Sequence, residues 1–334
     1  MSAEVGVILA QVGTPMNLGE SEVRRYLREF LSDQRVIDLP KWRWQPILRS
    51  AVLPSRPRQV IEHFKEIWTD EGSPLLVFSQ AQRDGVQERL GDRFQVELGF
   101  AYSEPSLGGA VTKLEQAGIR KIVVLPLFPQ FSNSTTAAVY DEVIFHALGR
   151  GKRRGLPKKK FVPTLRFVHP YFDDPSYISV LAGSVDRQLS QGPQPDRIVV
   201  SYHGLPQRFP DEGDPYVTHC EATTRLLAAE LGWPEDYYEM AYQSRFGRAE
   251  WIKPYLQPRL TELHGAGFEQ PAILSPGFTT DCLETLHELG IEGRELFEDG
   301  GGDPSRYRTL SCLNAEPEWL DYAANLVEQN AGGW

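Results

Sequence analysis

The chain of 334 residues is 41% hydrophobic and 11% aromatic, which is enough apolar material for two ordinary globular cores. Its formal charge of -10 argues against nucleic acid as a general partner, because phosphate binding rests on clustered Lys and Arg. The 3 cysteines, Cys220, Cys282 and Cys312, are odd in number and far apart; they argue against a disulfide framework, favour a reducing compartment, and are too few for an iron-sulfur cluster. The opening "MSAEVGVILAQVGTP" lacks a basic leader, and its apolar run is too short for a signal peptide followed by a mature chain. No other run approaches the roughly 20 apolar residues of a spanning helix, so the expectation is a soluble protein or one resting on a membrane surface. In chain order, "VGVILAQVG", "FQVELGFAY", "KIVVLPLFP", "TLRFV", "RIVVSYHG", "YYEMAYQ", "PAILSPG" and "TLSCL" are short, β-branched apolar runs between helix-like stretches. Continuous apolar strands alternating with amphipathic helices predict an α/β fold with doubly wound parallel sheets, whose ligands sit beyond the carboxyl ends of the strands.

The pattern repeats. "GVILAQVGTP" resembles "RIVVSYHGLP", and "KIVVLPLFPQFSNSTTAAVYDEV" resembles "PAILSPGFTTDCLETLHEL". Two similar domains facing a central cleft are expected, one over residues 1–160 and one over 161–312, with a closing helix in 313–334. Asn314 is a plausible cap for that helix, and Pro317 suits its first turn. The boundary falls in "GRGKRRGLPKKKF", where Arg150, Lys152, Arg153, Arg154, Lys158, Lys159 and Lys160 gather among Gly and Pro. This run reads first as an exposed interdomain loop, and alternatively as a contact for anionic lipid or an acidic ligand.

"TTDCLETLHELGIE" sets Glu284, Glu288 and Glu292 four apart, on one face of an expected α-helix. Spacing alone reads first as a solvated polar face. His203 follows the strand "RIVVS" directly, and Gly204 and Pro206 shape the turn after it. A lone histidine there is more often packed than catalytic, yet the acids also follow a strand, so both can meet at one functional sheet edge. A neutral imidazole opposite a carboxylate can take a proton or hold a divalent metal such as Fe²⁺. "GTP" at Gly13 to Pro15 lacks the spacing and Lys of a phosphate loop, and no nucleophile elbow occurs, so acyl transfer is disfavoured. Ser132, Ser134, Thr135 and Thr136 suit a helix cap better than an anion site. "LPKWRWQPILRSAVLP" places Trp42, Trp44, Ile47, Leu48, Val52 and Leu53 among Pro and Arg. Part of it belongs to a core; the rest can form an apolar lip, edged by Arg43 and Arg49, for a flat hydrophobic ligand or a bilayer.

Taken together, "YLREFLSDQRVIDLP", "IWTDEGSPL", "PQFSNSTTAAVYDEV", "SYHGLPQRF", "GDPY", "YQSRFGRAEWIKPY", "SPGFTTDCLETLHELGIEGRELF" and "CLNAEPEWL" resemble the ferrochelatase family over nearly the whole length. The resemblance implies a chelatase-like pair of Rossmann-like domains and insertion of Fe²⁺ into protoporphyrin IX, the last step of haem biosynthesis. It carries the catalytic roles to His203 and Glu284, the metal ligands to His203, Glu284, Glu288 and Glu292, and porphyrin contacts to Gln11, Val12, Trp44, Phe131, Ser132 and Trp251. Ferrous iron and the porphyrin are substrates, with no tightly bound cofactor and no iron-sulfur cluster expected. A cytoplasmic location is implied, with room for peripheral contact at the inner membrane; oligomeric state is left open. Three positions depart from relatives: Gln11 stands where many carry Asn, Ala101 replaces an Arg of some animal members, and Cys282 takes a position where others have His. Alternatives are a coproporphyrin enzyme, a cobalt or nickel tetrapyrrole chelatase, and a non-catalytic porphyrin or haem carrier. Joint presence of His203 and Glu284 argues against the carrier, and the lip with Trp42 and Trp44 favours the more apolar protoporphyrin.

Overall fold

A computed structural model describes residues 3–149, 159–247 and 249–334. Within them the eight apolar runs become eight strands in two parallel four-stranded sheets. The first sheet contains Val5–Gln11 (β1), Phe94–Phe100 (β2), Lys121–Pro126 (β3) and Thr164–Phe167 (β4), in the order β2-β1-β3-β4. The second contains Arg197–His203 (β5), Tyr238–Gln243 (β6), Pro271–Leu274 (β7) and Arg308–Thr309 (β8), in the order β6-β5-β7-β8. The two orders are the same when β5 is matched to β1, as the internal sequence repeat implies. Every residue of β1 is buried, which is why this strand reads as an unbroken apolar run. Ile8 and Ala10 join Ile122, Val124, Leu107 and Val111 in the core of the first sheet. Val199 and Ile273 join Leu256, Leu260 and Phe297 in that of the second.

β8 is shorter than "TLSCL" promised. Beyond Thr309 the Leu310 N–H still reaches Ile273 O at 2.8 Å, but Ser311 N–H turns to Gln188 Oε1 at 2.8 Å and Cys312 N–H to Asp281 Oδ1 at 3.3 Å. Side chains, not a neighbouring strand, satisfy those donors, so the ladder ends.

Two compact units contain these sheets. One comprises Met1–Phe128, Ser132–His169 and Ala315–Trp334; the other comprises Pro129–Phe131 and Pro170–Asn314. The division lies later than the expected residue 160, because β4 pairs with β3, Lys121 standing opposite Thr164, and so stays with the first unit. The closing helix, Pro317–Asn330, also belongs to the first unit. Its Arg89–Asp321 ion pair and the close seat of Leu320 over Gly85 fasten it to the helix Pro74–Leu90. Pro317 occupies the first turn as expected, but Glu316 stands at the cap position, not Asn314. Asn314 instead adopts φ 47 and binds Asp281 through both side-chain atoms, at 2.8 and 2.7 Å.

Arg150, Lys152, Arg153, Arg154 and Lys158 lie outside the described residues. Lys159, at the end of the basic run, pairs with Glu115 at 2.6 Å. Among the described residues no helix is long and apolar enough to cross a membrane.

Candidate functional site

The second unit gathers the expected chemistry at the carboxyl ends of its central strands. His203 is the last residue of β5 and stands in register with Gln243, the last residue of β6. Its Nδ1 lies 2.7 Å from the Gly204 carbonyl oxygen. A carbonyl only accepts, so in the neutral ring Nδ1 carries the proton and Nε2 the lone pair. The turn needs glycine after His203 because the backbone passes so close to its neighbour: a Cβ on Gly204 would lie 2.7 Å from Gln243 O and 3.1 Å from the Trp251 ring.

Gln243 is fully buried and fixes the local geometry. Ser201 donates to its Oε1 at 2.7 Å, which turns its amide NH₂ toward Glu284 O at 3.1 Å and Glu288 Oε2 at 3.3 Å. The next residue, Ser244, has φ 64, a left-handed conformation that costs a non-glycine residue about 1 kcal/mol. That backbone aims its N–H at Glu288 Oε1, 2.6 Å away, and its hydroxyl donates to Oε2 of the same carboxylate. Gln257 adds a further donor at 3.3 Å.

Glu284 to Glu292 form a π-helix, not the α-helix that their spacing predicted. In a π-turn the bonds close i→i+5 and residues five apart come together. His287 and Glu292 show this, with Nδ1 and Oε1 separated by 3.4 Å. The acids are therefore not equivalent. Glu288 is wrapped in donors; burial pushes its carboxyl above the usual range, and the neighbouring Glu284 charge adds to this, against the Ser244 bonds and His203, which pull it down. Glu292 lies at the far end with its side chain 42% exposed. Cys282 precedes Glu284 and is buried; burial raises its thiol well above the usual range, and the charge of Glu284, to which it hydrogen-bonds, raises it further. It stays a neutral thiol at physiological pH. All three cysteines are free and buried.

Two expected porphyrin contacts also lie in this unit. Trp251 is only 4% exposed, packs edge-on to Phe246 with centroids 5.0 Å apart, and has a buried indole N–H without a hydrogen-bond partner. Phe131 is half-buried, and its N–H donates to His219 Nδ1 at 3.1 Å.

Gln11, Val12, Trp44 and Ser132 belong to the first unit. Gln11 ends β1, and its side chain accepts from the N–H of Val12 at 3.3 Å. The loop after it is pinned: Gly13, at φ 120, sits against Ser103, whose Oγ accepts from Thr14 N–H at 3.1 Å, and Tyr26 donates to Gly13 O at 3.1 Å. Ser132 is buried and Ser134 lies 3.1 Å from its hydroxyl. Thr135 holds the cap position of the helix Thr136–Ala147 without a side-chain capping bond, so the capping role expected of these hydroxyls is met by Ser132 O, which accepts from Thr135 and Ala137 N–H at 3.3 Å each.

The lip divides. Leu48 and Leu53 are buried with Val23, Leu27 and Ile61, and half-buried Trp44 packs on this cluster with its indole N–H on Leu31 O. Trp42 and Ile47, 72% and 49% exposed, remain outside it.

The structure thus brings His203 and Glu284 each within electrostatic reach of Glu288, sets Glu292 apart at the end of the π-helix, and adds Gln243, Ser244 and Gln257, which sequence reasoning missed. The signal for two of them was present in "YQSRFG", which spans the end of the strand paired with that of His203.

Comparison with known proteins identifies the family. The family model described as Ferrochelatase matches residues 4–331. A ferrochelatase of Vibrio atlanticus is 44% identical over 322 residues, covering 96% of this chain and 97% of its own. Ferrochelatases of Photobacterium profundum and Alcanivorax borkumensis are 40% and 42% identical, covering 98% and 99% of this chain and 98% and 95% of theirs. Among solved structures, the sirohydrochlorin chelatase SirB of Bacillus subtilis subspecies spizizenii in complex with cobalt superposes with a TM-score of 0.55 at 11% identity, covering 98% of this chain and 95% of that one. CbiX, the terminal enzyme for siroheme biosynthesis in denitrifying bacteria, gives 0.51 at 14% identity, covering 98% of each. These two establish a shared fold. With a family match across almost its full length and relatives above 40% identity, the chain belongs to the ferrochelatase family, a family of lyases.

Proposed function

We propose that this chain inserts ferrous iron into protoporphyrin IX to form protohaem, with His203 and Glu284 as its catalytic residues. The observation that carries this reading is an imidazole at the end of β5 whose Nδ1 is held by Gly204 O, within electrostatic reach of the same carboxylate as Glu284. Insertion replaces both pyrrole N–H protons with one Fe²⁺, so the site must accept protons on one side and conduct a dication on the other. His203 Nε2 takes a pyrrole proton, while its Nδ1–H, held by Gly204 O, keeps the ring oriented. Glu284 presents a carboxylate beside the neutral thiol of Cys282 and receives the metal ion or passes the proton outward. Glu288, clasped by Ser244, Gln243 and Gln257, gives the acid row a fixed middle member, and Glu292 faces solvent as its entry.

The exposed apolar edge formed by Trp42 and Ile47 supports protoporphyrin over the more highly charged coproporphyrin, because each added propionate costs desolvation against such a surface. Steady-state assays with either porphyrin and Fe²⁺ are expected to give a kcat/KM at least ~10-fold higher for protoporphyrin IX. A preference of that size for coproporphyrin III would reverse the assignment. The same edge, with Lys41, Arg43 and Arg49 exposed beside it, fits a bilayer surface. Vesicles containing anionic lipid are expected to co-sediment the protein, with Trp42→Ala weakening binding by roughly 10-fold. Equal recovery of wild type and variant would remove the edge from any membrane contact.

A further inference from the structure

Pro129, Gln130 and Phe131 follow β3 in sequence yet belong to the second unit. Each is tied to it separately. Pro129 O accepts from Tyr171 N–H at 3.1 Å, Gln130 Nε2 donates to Thr223 Oγ1 at 3.0 Å, and Phe131 N–H donates to His219 Nδ1 at 3.1 Å. Gln130 and Thr223 are almost completely buried. A backbone donor bound to an imidazole nitrogen is uncommon and demanding, since Nδ1 must be unprotonated and the ring must lie in one plane relative to the N–H. The ring is held for that purpose: Phe172 stacks on it with centroids 3.7 Å apart and planes within 10°. Thr223, one turn further along the helix Tyr216–Glu230, donates to Phe172 O at 2.8 Å and also contacts His219 O at 3.1 Å, which locks both members of the stack.

The adjacent stripe of that helix holds the catalytic strand. Thr224 Oγ1 lies 3.0 Å from the hydroxyl of Tyr202, the residue before His203, and donates to Met240 Sδ on β6 at 3.7 Å. Residues 219 and 223 fix Phe131; residue 224 fixes the end of β5. One helix therefore sets the spacing between a porphyrin contact and the proton acceptor.

We propose that His219 is a positioning residue for the tetrapyrrole, acting through the backbone of Phe131. The proposal rests on the reading of Phe131 as a porphyrin contact, which one variant tests by itself. His219→Leu removes the acceptor while keeping bulk against Phe172; His219→Asn places an amide oxygen near the position of Nδ1 and restores an acceptor. With protoporphyrin IX and Fe²⁺, His219→Leu is expected to raise the porphyrin KM about 10-fold and to leave kcat and the Fe²⁺ KM within about 2-fold, the size of effect that one lost hydrogen bond supports. His219→Asn is expected to recover the porphyrin KM to within about 3-fold of wild type, and Phe131→Ala to raise it about as much as His219→Leu. Thermal melts of the variants separate misfolding from mispositioning, because a purely structural defect in His219→Leu would persist in His219→Asn and would lower kcat as well. If Phe131→Ala raises the porphyrin KM and His219→Leu does not, the proposal is wrong while the contact stands. If Phe131→Ala changes nothing, the contact itself is wrong and the proposal falls with it.

Discussion

His203→Ala is expected to lower kcat for iron insertion by ~10²- to 10⁴-fold, the usual range for losing a positioned general base. Porphyrin affinity is expected to stay within about 3-fold, since an imidazole that acts on the pyrrole proton contributes mainly to the transition state. Two features of the structure make the loss large. Nδ1 is held by Gly204 O, so in the neutral ring Nε2 is the acceptor without tautomer exchange, and the strand end and its turn hold the ring in place. Gln243 and Ser244, at the end of β6, do not replace it, since they are already engaged by Ser201, Glu284 and Glu288. Stopped-flow absorbance of metalloporphyrin formation with saturating Fe²⁺ measures this directly. A variant that inserts iron at the wild-type rate would remove His203 from the chemistry.

The acid row is expected to respond in steps. Glu284→Gln should reduce kcat by ~10³-fold, because it removes the carboxylate proposed to hand over metal or proton. Glu288→Gln should cost ~10²-fold, for a different reason: an amide keeps one acceptor oxygen but turns an NH₂ toward the donors of Ser244 and Gln243, so the middle of the row loses its fixed geometry. Glu292→Gln should stay within ~3-fold, since its side chain is 42% exposed and its pairing with His287 at 3.4 Å is only partly shielded from water. Steady-state kinetics of the three variants at varied Fe²⁺ checks the order. Equal losses at all three positions would contradict the unequal environments, and a loss confined to Glu292 would place the decisive step at the solvent end.

Most of the sheet architecture could be read from the chain because the signal was local. Runs such as "VGVILAQ" and "RIVVSYH" are apolar along their whole length, and a strand buried on both faces demands no more than that. The repeated strand-and-turn motifs likewise carried the matching orders of the two sheets. Where the chain depended on non-local partners, the reading fell short. The boundary moved because β4 needed β3 beside it, and the closing helix joined the first unit through Arg89 and Leu320, pairings that no window of sequence reveals. Asn314 resembled a cap until Asp281 claimed both of its side-chain atoms.

At the site, His203 and the three acids were legible from residue type and from resemblance to the family, but their environments were not. A spacing of four fits an α-helix, and a π-helix differs from it only in which carbonyl each N–H chooses, a choice set by contacts elsewhere. Ser244 in its left-handed conformation and the Phe131 N–H that meets the His219 imidazole are backbone features that a list of side chains does not record.

The central claim is that His203 and Glu284 serve iron insertion into a porphyrin. The most direct measurement mixes the purified protein anaerobically with Fe²⁺ and protoporphyrin IX, follows metalloporphyrin formation by absorbance, and runs Glu284→Gln beside the wild type with porphyrin binding monitored by fluorescence. The account predicts rapid turnover by the wild type and a loss of ~10³-fold in the variant with porphyrin still bound. Tight porphyrin binding by both proteins with insertion by neither would contradict it and leave a carrier in place of an enzyme.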